Sequence, residues 1–285
     1  MKILAFHMSL LCAAPLFAGQ SEQDPSSPSY QQDRGRGVAT SMSGTYIEKQ
    51  ELIVYPFYEY YRDADFEYKP AEFGAAGGVD FRGRYRAHEA VAFVAYGVTD
   101  NLAVEMEAAY IHANFIKSPA DTSALPRRIT ESGLGDVEGQ VRWRWRTETA
   151  SGPEWFSYGE FVIPHAKARP LVGTPGLELS FGTGVVRGFA WGTLTARAAV
   201  DYSRASSTRW DSGEYAIEYL KRLSRTWRVY TGLEGTQDEL SLIAEAQWHI
   251  LSHGFIRLNS GHGLTSKATN WAPEVGIVLT FPASR

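Results

Sequence analysis

The sequence feature that most constrains the fold is an unbroken alternation of polar and apolar residues from Asp136 to Arg146. Because successive side chains of a β-strand point to opposite faces, this alternation predicts a strand with one polar and one apolar face. The polar face carries Asp136, Glu138, Gln140, Arg142, Arg144 and Arg146. The apolar face carries Val137, Gly139, Val141, Trp143 and Trp145. Such a strand fits a soluble sandwich or a membrane barrel, and the rest of the chain decides between them.

The N-terminus has the features of a secretory signal. Lys2 precedes an apolar run over residues 3–17, and small residues follow at Ala18 and Gly19. We expect residues 1–18 to be a cleaved signal peptide, so that the protein leaves the cytoplasm. The only cysteine, Cys12, lies within this signal, and no disulfide can form after cleavage. Residues 19–45 are polar and rich in Gly and Pro, which predicts a flexible N-terminal periplasmic segment that hangs free or enters a barrel.

Composition excludes several classes of protein. The 28 basic and 32 acidic residues are nearly balanced, so nothing indicates a nucleic-acid partner. Beyond the signal, no stretch approaches the ~20 consecutive apolar residues that a membrane-spanning helix needs. The seven histidines are scattered and the mature chain lacks cysteine, so we expect neither a metal site nor a cofactor. A membrane barrel remains possible, because lumen-facing residues interrupt every apolar run of its strands.

Residues 46–285 show repeated period-two segments with the length of membrane-crossing strands, and we count about 12. The shorter connections fall at residues 98–101, 147–153, 187–190, 222–225 and 251–254. They alternate with longer ones at residues 63–78, 117–132, 165–175, 203–212 and 263–271, and only 235–238 breaks the rule. Trp and Tyr cluster near strand ends on the apolar face, as in the aromatic girdles of membrane barrels.

The sequence therefore predicts an all-β fold, a transmembrane up-and-down antiparallel β-barrel in the cell outer membrane. Its turns would be periplasmic and short, and its loops extracellular and longer. An even number of strands places both termini on the periplasmic side. The expected partners are the lipid bilayer, the barrel-assembly machinery during insertion, and a small-molecule solute.

The polar faces of these strands supply the candidate pore lining. The predicted lining residues are Glu105, Glu107, Asp136, Glu138, Arg142, Arg144, Arg146, Glu160, Arg197, Glu218, Arg228, Glu245 and Arg257. These charges form either a pathway that favours cations or polar solutes, or a salt-bridged lumen that only satisfies its own charges. We expect the three arginines from 142 to 146 to pair with Glu105, Glu107 and Glu160.

Three short motifs point to a known family. Gly133-Leu134-Gly135-Asp136 opens the alternating strand, the next strand ends in Phe161-Val162-Ile163-Pro164, and a glycine-rich restart runs from Gly173 to Leu179. With these motifs the chain resembles, over residues 51–281, the outer-membrane transporters associated with the meta-pathway of phenol degradation. The resemblance implies a barrel that passes small, often aromatic, molecules.

Two other functions remain open. Ser260 and His262 lie two apart, which places a hydroxyl and an imidazole on one lipid-facing side of a strand, as an outer-membrane lipid hydrolase would require. No carboxylate is evidently placed to orient the imidazole, however. The other alternative is a structural barrel that conducts nothing.

Overall fold

A closed barrel of twelve antiparallel strands forms the wall of the protein, which confirms the predicted fold. The structure is a computed structural model and describes residues 31–204 and 209–282. Two short strands, β1 (Val38–Ala39) and β2 (Tyr46–Ile47), precede the wall. The wall strands are β3 (Leu52–Tyr68), β4 (Phe81–Thr99), β5 (Leu102–Ile116), β6 (Arg128–Arg146), β7 (Glu154–Ile163), β8 (Glu178–Phe189), β9 (Gly192–Ser203), β10 (Trp210–Arg222), β11 (Trp227–Thr236), β12 (Glu239–Leu251), β13 (Gly254–Gly263) and β14 (Ala272–Phe281).

Helical structure plays a small part in the described chain. A 3-10 turn, Pro70–Phe73, lies in the connection between β3 and β4. Within residues 31–204 and 209–282, no helix is long and apolar enough to cross a membrane. The predicted signal peptide, residues 1–18, lies outside the described residues.

The connections differ between the two ends of the barrel. The turn end holds the connections 100–101, 147–153, 190–191, 223–226 and 252–253, together with the start of β3 and the end of β14. The loop end holds the connections 69–80, 117–127, 164–177, 204–209, 237–238 and 264–271. The longest connections all lie at the loop end, and 237–238 is again the exception. In the predicted orientation the turn end is periplasmic and the loop end extracellular.

The wall is higher on one side. Strands β4 and β6 contain 19 residues each, whereas β7, β11, β13 and β14 contain 10. At about 3.3 Å per residue, this difference is on the order of 30 Å along a strand. The strands β3 to β6, here called the tall side, therefore extend beyond the rest of the wall at the loop end.

Apolar side chains cover the outer face of the wall. On β6, Trp143 is 56% exposed and Val141 43% exposed, whereas Arg142 between them is only 3% exposed. Exposed apolar side chains recur on the other strands, including Met106, Ile217 and Val275. Since side chains alternate along each strand, the polar faces point into the barrel. This is the arrangement that a barrel surrounded by lipid requires.

The barrel closes at a seam between β14 and β3. The pairs Gly276–Phe57 and Leu279–Val54 lie on either side of an interruption in this ladder. Pro56 lies within the interruption and has no backbone N–H to donate. The seam therefore has fewer backbone hydrogen bonds than an uninterrupted ladder of the same length.

Residues 33–49 form a hairpin inside the barrel at the turn end, here called the N-terminal hairpin. Strands β1 and β2 pair through Val38–Ile47 and Ala39–Tyr46. The turn between them is closed by the bond from Thr40 N to Thr45 O, 3.0 Å, and uses a positive φ of 67° at Gly44. Residues 33–45 of the N-terminal segment thus enter the barrel, one of the two positions expected for it, and the first wall strand begins at Leu52.

Burial against the wall explains why this polar segment is ordered. The hairpin and the wall share an apolar cluster that consists of Val38, Met42, Ile47, Ile53, Tyr55, Phe93, Ala95, Ala103, Phe255 and Val278. The hairpin passes so close to β4 that a Cβ at Gly97 would overlap the carbonyl oxygen of Glu48. Composition alone underestimates the order of such a segment, because the apolar surface that it buries is supplied by the wall.

Candidate functional site

The lumen contains a cavity of about 330 Å³ directly above the N-terminal hairpin. Ser41, Met42 and Ser43 of the hairpin form its floor. Its walls come from both sides of the barrel and include Tyr55, Phe57, Glu59, Phe93, Glu105, Glu107, Glu138, Gln140, Glu160, Glu234, Arg257, Asn259 and Glu274. We call this space the lumen cavity. It combines an aromatic surface with many carboxylates.

The aromatic surface comes from β3 and β4. The rings of Tyr55 and Phe57 stack with centroids 4.5 Å apart, and Phe93 is almost fully buried beside the hairpin. The hydroxyl of Tyr55 donates to the Glu274 carboxylate, and the Arg257 guanidinium lies 5.4 Å from the centroid of its ring, so the partly buried Phe57 supplies most of the accessible apolar surface. Flat apolar surfaces of this kind suit planar or hydrophobic solutes.

Four glutamates on the tall side form what we call the acid belt: Glu59, Glu89, Glu107 and Glu138. Glu59 lies directly opposite Glu89 across β3 and β4, and Glu107 directly opposite Glu138 across β5 and β6. Directly opposed residues are about 5 Å apart, where like charges repel. Within the described part of the chain, none of the four forms an ion pair with a cation. The acid belt therefore presents carboxyl groups without a cationic partner to the lumen, where a cation or a hydrogen-bond donor could bind.

On the opposite side of the lumen, here called the compensated side, the glutamates form ion pairs with arginines. Arg197 contacts Glu218 at 2.7 Å and Glu234 at 3.4 Å, and it also pairs with Glu214. Arg257 contacts Glu245 at 2.6 Å and Glu274 at 3.5 Å. These two arginines are nearly inaccessible to solvent and hold their carboxylates in fixed networks.

Two of the predicted arginines hold the hairpin. Arg142 donates from Nη1 to the carbonyl oxygens of Ala39 at 3.1 Å and Thr40 at 2.7 Å. Its Nε lies 3.8 Å from Glu105, which in turn accepts the backbone N–H of Ser41 at 2.9 Å. Arg144 donates to the carbonyl oxygen of Gly37 and lies 3.5 Å from the Glu154 carboxylate.

The predicted pairing of the three arginines with Glu105, Glu107 and Glu160 is therefore largely wrong. Arg142 reaches Glu105, and it reaches Glu160 only through Gln140, whose Nε2 donates to that carboxylate at 2.6 Å. Arg146 is exposed at the turn end and pairs with no described carboxylate, because the strand register is irregular between Arg144 and Arg146. Glu107 belongs to the acid belt instead.

Asp136 does not line the lumen as a free charge. Its carboxylate accepts the backbone N–H groups of His165 at 2.7 Å, Ala166 at 3.1 Å and Thr174 at 2.5 Å, and the hydroxyl of Thr174 at 2.7 Å. All three partners lie in the connection between β7 and β8. Asp136 thus anchors a loop at the loop end of the barrel.

The remaining predicted lining residues all face the interior. Glu218 and Arg197 lie beside the hairpin, and Glu245 and Arg257 form the buried pair of the compensated side. Arg228 is paired in register with Arg222 on β10 and Gln247 on β12, and it forms no ion pair within the described residues.

The sequence did not identify several residues of the lumen cavity. Tyr55, Glu59 and Phe93 were missed because the facing of the first two wall strands was left open, and Glu89 of the acid belt was missed for the same reason. Both faces of β3 carry aromatic residues, so alternation gave no contrast there. The floor residues 41–43 were missed because the hairpin lies in a polar segment with no strand pattern. On β4, the alternate apolar residues Ala87, Val91 and Ala95 could have predicted which face of this long strand points inward.

The alternative catalytic pair is incomplete. Ser260 Oγ and His262 Nε2 lie 3.4 Å apart on the outer face of β13, and Ser260 accepts the indole N–H of Trp271 at 3.0 Å. Within the described residues no carboxylate contacts His262. Nor does any group of three or more described His, Cys, Asp or Glu side chains form an arrangement that could hold a metal ion.

Two solved structures have a similar fold. The COG4313 outer membrane channel from Pseudomonas putida F1 matches with a TM-score of 0.62 and 14% identity, over 86% of this chain and 100% of that chain. The translocator domain of the autotransporter NalP from Neisseria meningitidis matches with a TM-score of 0.51 and 11% identity, over 82% of this chain and 90% of that chain. At these identities the similarity concerns the fold. No family model and no curated protein matches the sequence.

Proposed function

We propose that this protein is an outer-membrane channel for small molecules, including aromatic and hydrophobic ones. The observation that carries the proposal is the lumen cavity, in which aromatic side chains of β3 and β4 lie beside the unpaired carboxyl groups of Glu59, Glu107 and Glu138. A solute with an apolar ring and a positive or hydrogen-bond-donating group would contact both surfaces. The apolar outer face and the fold shared with the COG4313 outer membrane channel support this placement in the outer membrane.

The N-terminal hairpin closes the lumen below the cavity, so passage requires the hairpin to move. Besides the apolar cluster, its contacts with the wall include hydrogen bonds and ion pairs, such as Arg34 with Glu148 at 2.9 Å and Lys221 with Asp33 at 3.2 Å. A second cavity, of about 20 Å³, lies between the hairpin and residues of β6, β7, β9, β10 and β11. We therefore propose the hairpin as the gate of the channel. The proposal includes the lipid bilayer and the barrel-assembly machinery as partners, and the link to phenol degradation stays a prediction.

Reconstitution into liposomes tests the channel directly. We expect uptake of a small aromatic amine to exceed that of a matched aromatic carboxylate, because the acid belt attracts the cation. Lipid turnover is measured in the same vesicles, with Ser260→Ala as the control for the hydrolase alternative. Liposomes that show neither solute flux nor lipid turnover would identify a structural barrel and contradict the proposal.

Cross-linking tests the gate. The mature chain would contain no cysteine after cleavage, so Ser41→Cys with Glu105→Cys provides a unique pair across a direct contact between hairpin and wall. We expect a short bifunctional thiol reagent to abolish solute flux and a reductant to restore it. Each single-cysteine variant treated with the same reagent is the control. Flux that persists in the cross-linked protein would show that the hairpin is not the gate.

A further inference from the structure

The outer face of the tall side carries a group of cations close to the loop end. On β4 the inward residues Ala87 and Val91 are buried, so the alternate residues Arg84, Arg86 and His88 point outward. Arg62 on β3 lies directly opposite Arg86, and the register of β5 with its neighbours brings His112 and Arg128 to the same face. We call Arg62, Arg84, Arg86, Arg128, His88 and His112 the basic patch.

The cations lie in rows across the strands. One row runs from Arg62 through Arg86 and Asn114 to Thr130, and the next from Arg84 through Ile116 to Arg128. Neighbours within a row are about 5 Å apart and rows on one face are about 7 Å apart. This spacing lets several guanidinium groups reach one anionic group at the same time.

The basic patch borders the apolar band of the outer face. Towards the turn end, the next outward residues after His88 and His112 are Ala90 and Tyr110, with Tyr58 opposite Ala90. Tyr58 and Tyr110 are both exposed, as expected for an aromatic girdle at a membrane interface. The cations therefore lie at the level where lipid headgroups would begin if the barrel spans a membrane.

No carboxylate of the described residues neutralises the arginines of the patch. Within the described residues, Arg62, Arg84, Arg86 and Arg128 form no ion pair. The outward acid Glu67 is occupied by Arg82 at 2.7 Å and by Lys267 at 3.1 Å. Like charges directly opposite each other, as at Arg62 and Arg86, destabilise a sheet. An external anion between the cations would relieve this repulsion.

The patch also has room for a ligand. An open cavity of about 490 Å³ is lined by Arg84, Arg86, His88, His112, Asn114, Ile116 and Arg128. The other polar groups around it are held in place, since Asn114 Nδ2 donates to Thr130 Oγ1 at 2.7 Å and the Tyr58 hydroxyl lies 2.6 Å from His88 Nδ1. The guanidinium groups remain available to bind an anion.

We infer that the basic patch binds the phosphate groups of an anionic lipid headgroup in the leaflet that surrounds the loop end. Guanidinium groups bind phosphate oxygens through paired, charge-assisted hydrogen bonds. The adjoining apolar band would contact the acyl chains of the same lipid, which a free phosphate lacks. This inference rests on the proposed placement of the barrel in the outer membrane.

Native mass spectrometry of the purified barrel in detergent tests the inference, with lipid A as the probe. The test variant is Arg84→Gln, Arg86→Gln and Arg128→Gln combined. The matched control is Lys167→Gln, Arg204→Gln and Arg209→Gln, which removes the same charge from described positions outside the patch. We expect lipid A to bind the test variant at least about tenfold more weakly than the wild type, and the control to bind as the wild type does. Equal binding by all three proteins would overturn the inference.

Two further measurements need no variant. Wild-type protein is titrated with lipid A from which one phosphate has been removed, and we expect weaker binding. Inorganic phosphate is the competitor, and we expect it to displace lipid A only at far higher concentration. Inorganic phosphate that binds as tightly as lipid A, or equal binding of the two lipids, would contradict a lipid headgroup site. These outcomes are separate from the channel proposal, because solute flux through the wild-type barrel does not depend on them.

Discussion

The two sides of the lumen differ in whether their acidic side chains are paired with arginines. On β9 to β14, Arg197 and Arg257 each contact two or more carboxylates, and their side chains are almost inaccessible. On the tall side the acid belt faces the cavity without a cation within the described residues. A carboxylate in an ion pair stabilises the fold, whereas a carboxyl group without such a partner remains available to bind a solute. The compensated side is therefore the scaffold of the lumen, and the acid belt is the candidate for selectivity.

The strongest test of this difference is the loss of a scaffold arginine. Arg257→Met removes the partner of Glu245, whose side chain is fully buried. Removal of one partner from a buried ion pair costs about 3 to 5 kcal/mol, so we expect a large loss of unfolding free energy. Denaturant unfolding in detergent or lipid measures it, and a double-mutant cycle with Glu245→Leu separates the pair from packing. A loss no larger than that of Glu59→Gln would remove the distinction between the two sides.

Arg142 should give the next largest effect, because it fastens the hairpin rather than the wall. Arg142→Gln loses two hydrogen bonds to hairpin carbonyl oxygens, each worth about 1.5 to 3 kcal/mol when the donor is charged. We expect faster hydrogen exchange in residues 38–47 and higher conductance in planar bilayers. Arg146→Gln, on the same strand and without a hairpin contact, is the control. Unchanged exchange in the hairpin would show that Arg142 does not hold it.

The acid belt should affect selectivity and leave stability nearly unchanged. Glu59→Gln with Glu107→Gln removes two carboxyl groups that have no ion-pair partner and relieves any repulsion with the opposed carboxyl groups, worth about 0.2 to 1 kcal/mol per pair. We expect a lower cation-to-anion permeability ratio, measured from the reversal potential under a salt gradient. Asp100→Asn, in an exposed turn at the turn end, is the control. A permeability ratio equal to that of the wild type would assign the belt a purely structural role.

The smallest effect is expected at the loop end, where charge pairs are exposed. The Lys267 ammonium lies 2.7 Å from Asp238, and its hydrogen bond lowers the pKa of that carboxyl. Because the pKa of Asp238 is lower in the folded state, the contact stabilises the fold fully at a pH above the unfolded-state pKa of about 3.9. This stabilisation is lost as the pH falls through the folded-state pKa. Spin labels at Gln237→Cys and Ser266→Cys should report a constant distance from pH 8 to 5 and a broader distribution below about pH 4. Lys267→Gln should show no such step, and a step that persists in this variant would exclude the pair as its cause.

The wall could be predicted from sequence because strand facing is a local property. From Asp136 to Arg146 the period of two separates lumen from lipid without knowledge of any other strand, and Arg142 and Trp143 take opposite faces accordingly. The same reasoning failed at Arg146, because an irregularity between Arg144 and Arg146 changes the register. Local alternation cannot reveal such a shift.

The partners of the charges could not be predicted, since they come from segments distant in sequence. Asp136 binds backbone N–H groups of the connection between β7 and β8, and Arg142 binds carbonyl oxygens of the hairpin. Neither contact leaves a pattern in the residues near those two positions. Spacing identified which charges point inward, and only the fold determines which of them remain unpaired.

The position of the N-terminal hairpin has a consequence for the order of assembly. Its apolar cluster includes Ile53 of β3, Phe255 of β13 and Val278 of β14, so it touches both sides of the seam that Pro56 interrupts. The hairpin is the first described segment to be synthesised, yet part of its docking surface is the last. It cannot dock completely until β13 and β14 have been made, and contacts between such distant segments form slowly. Docking of the hairpin and closure of the barrel should therefore be one cooperative event, with the earliest part of the chain joining the first strand to the last.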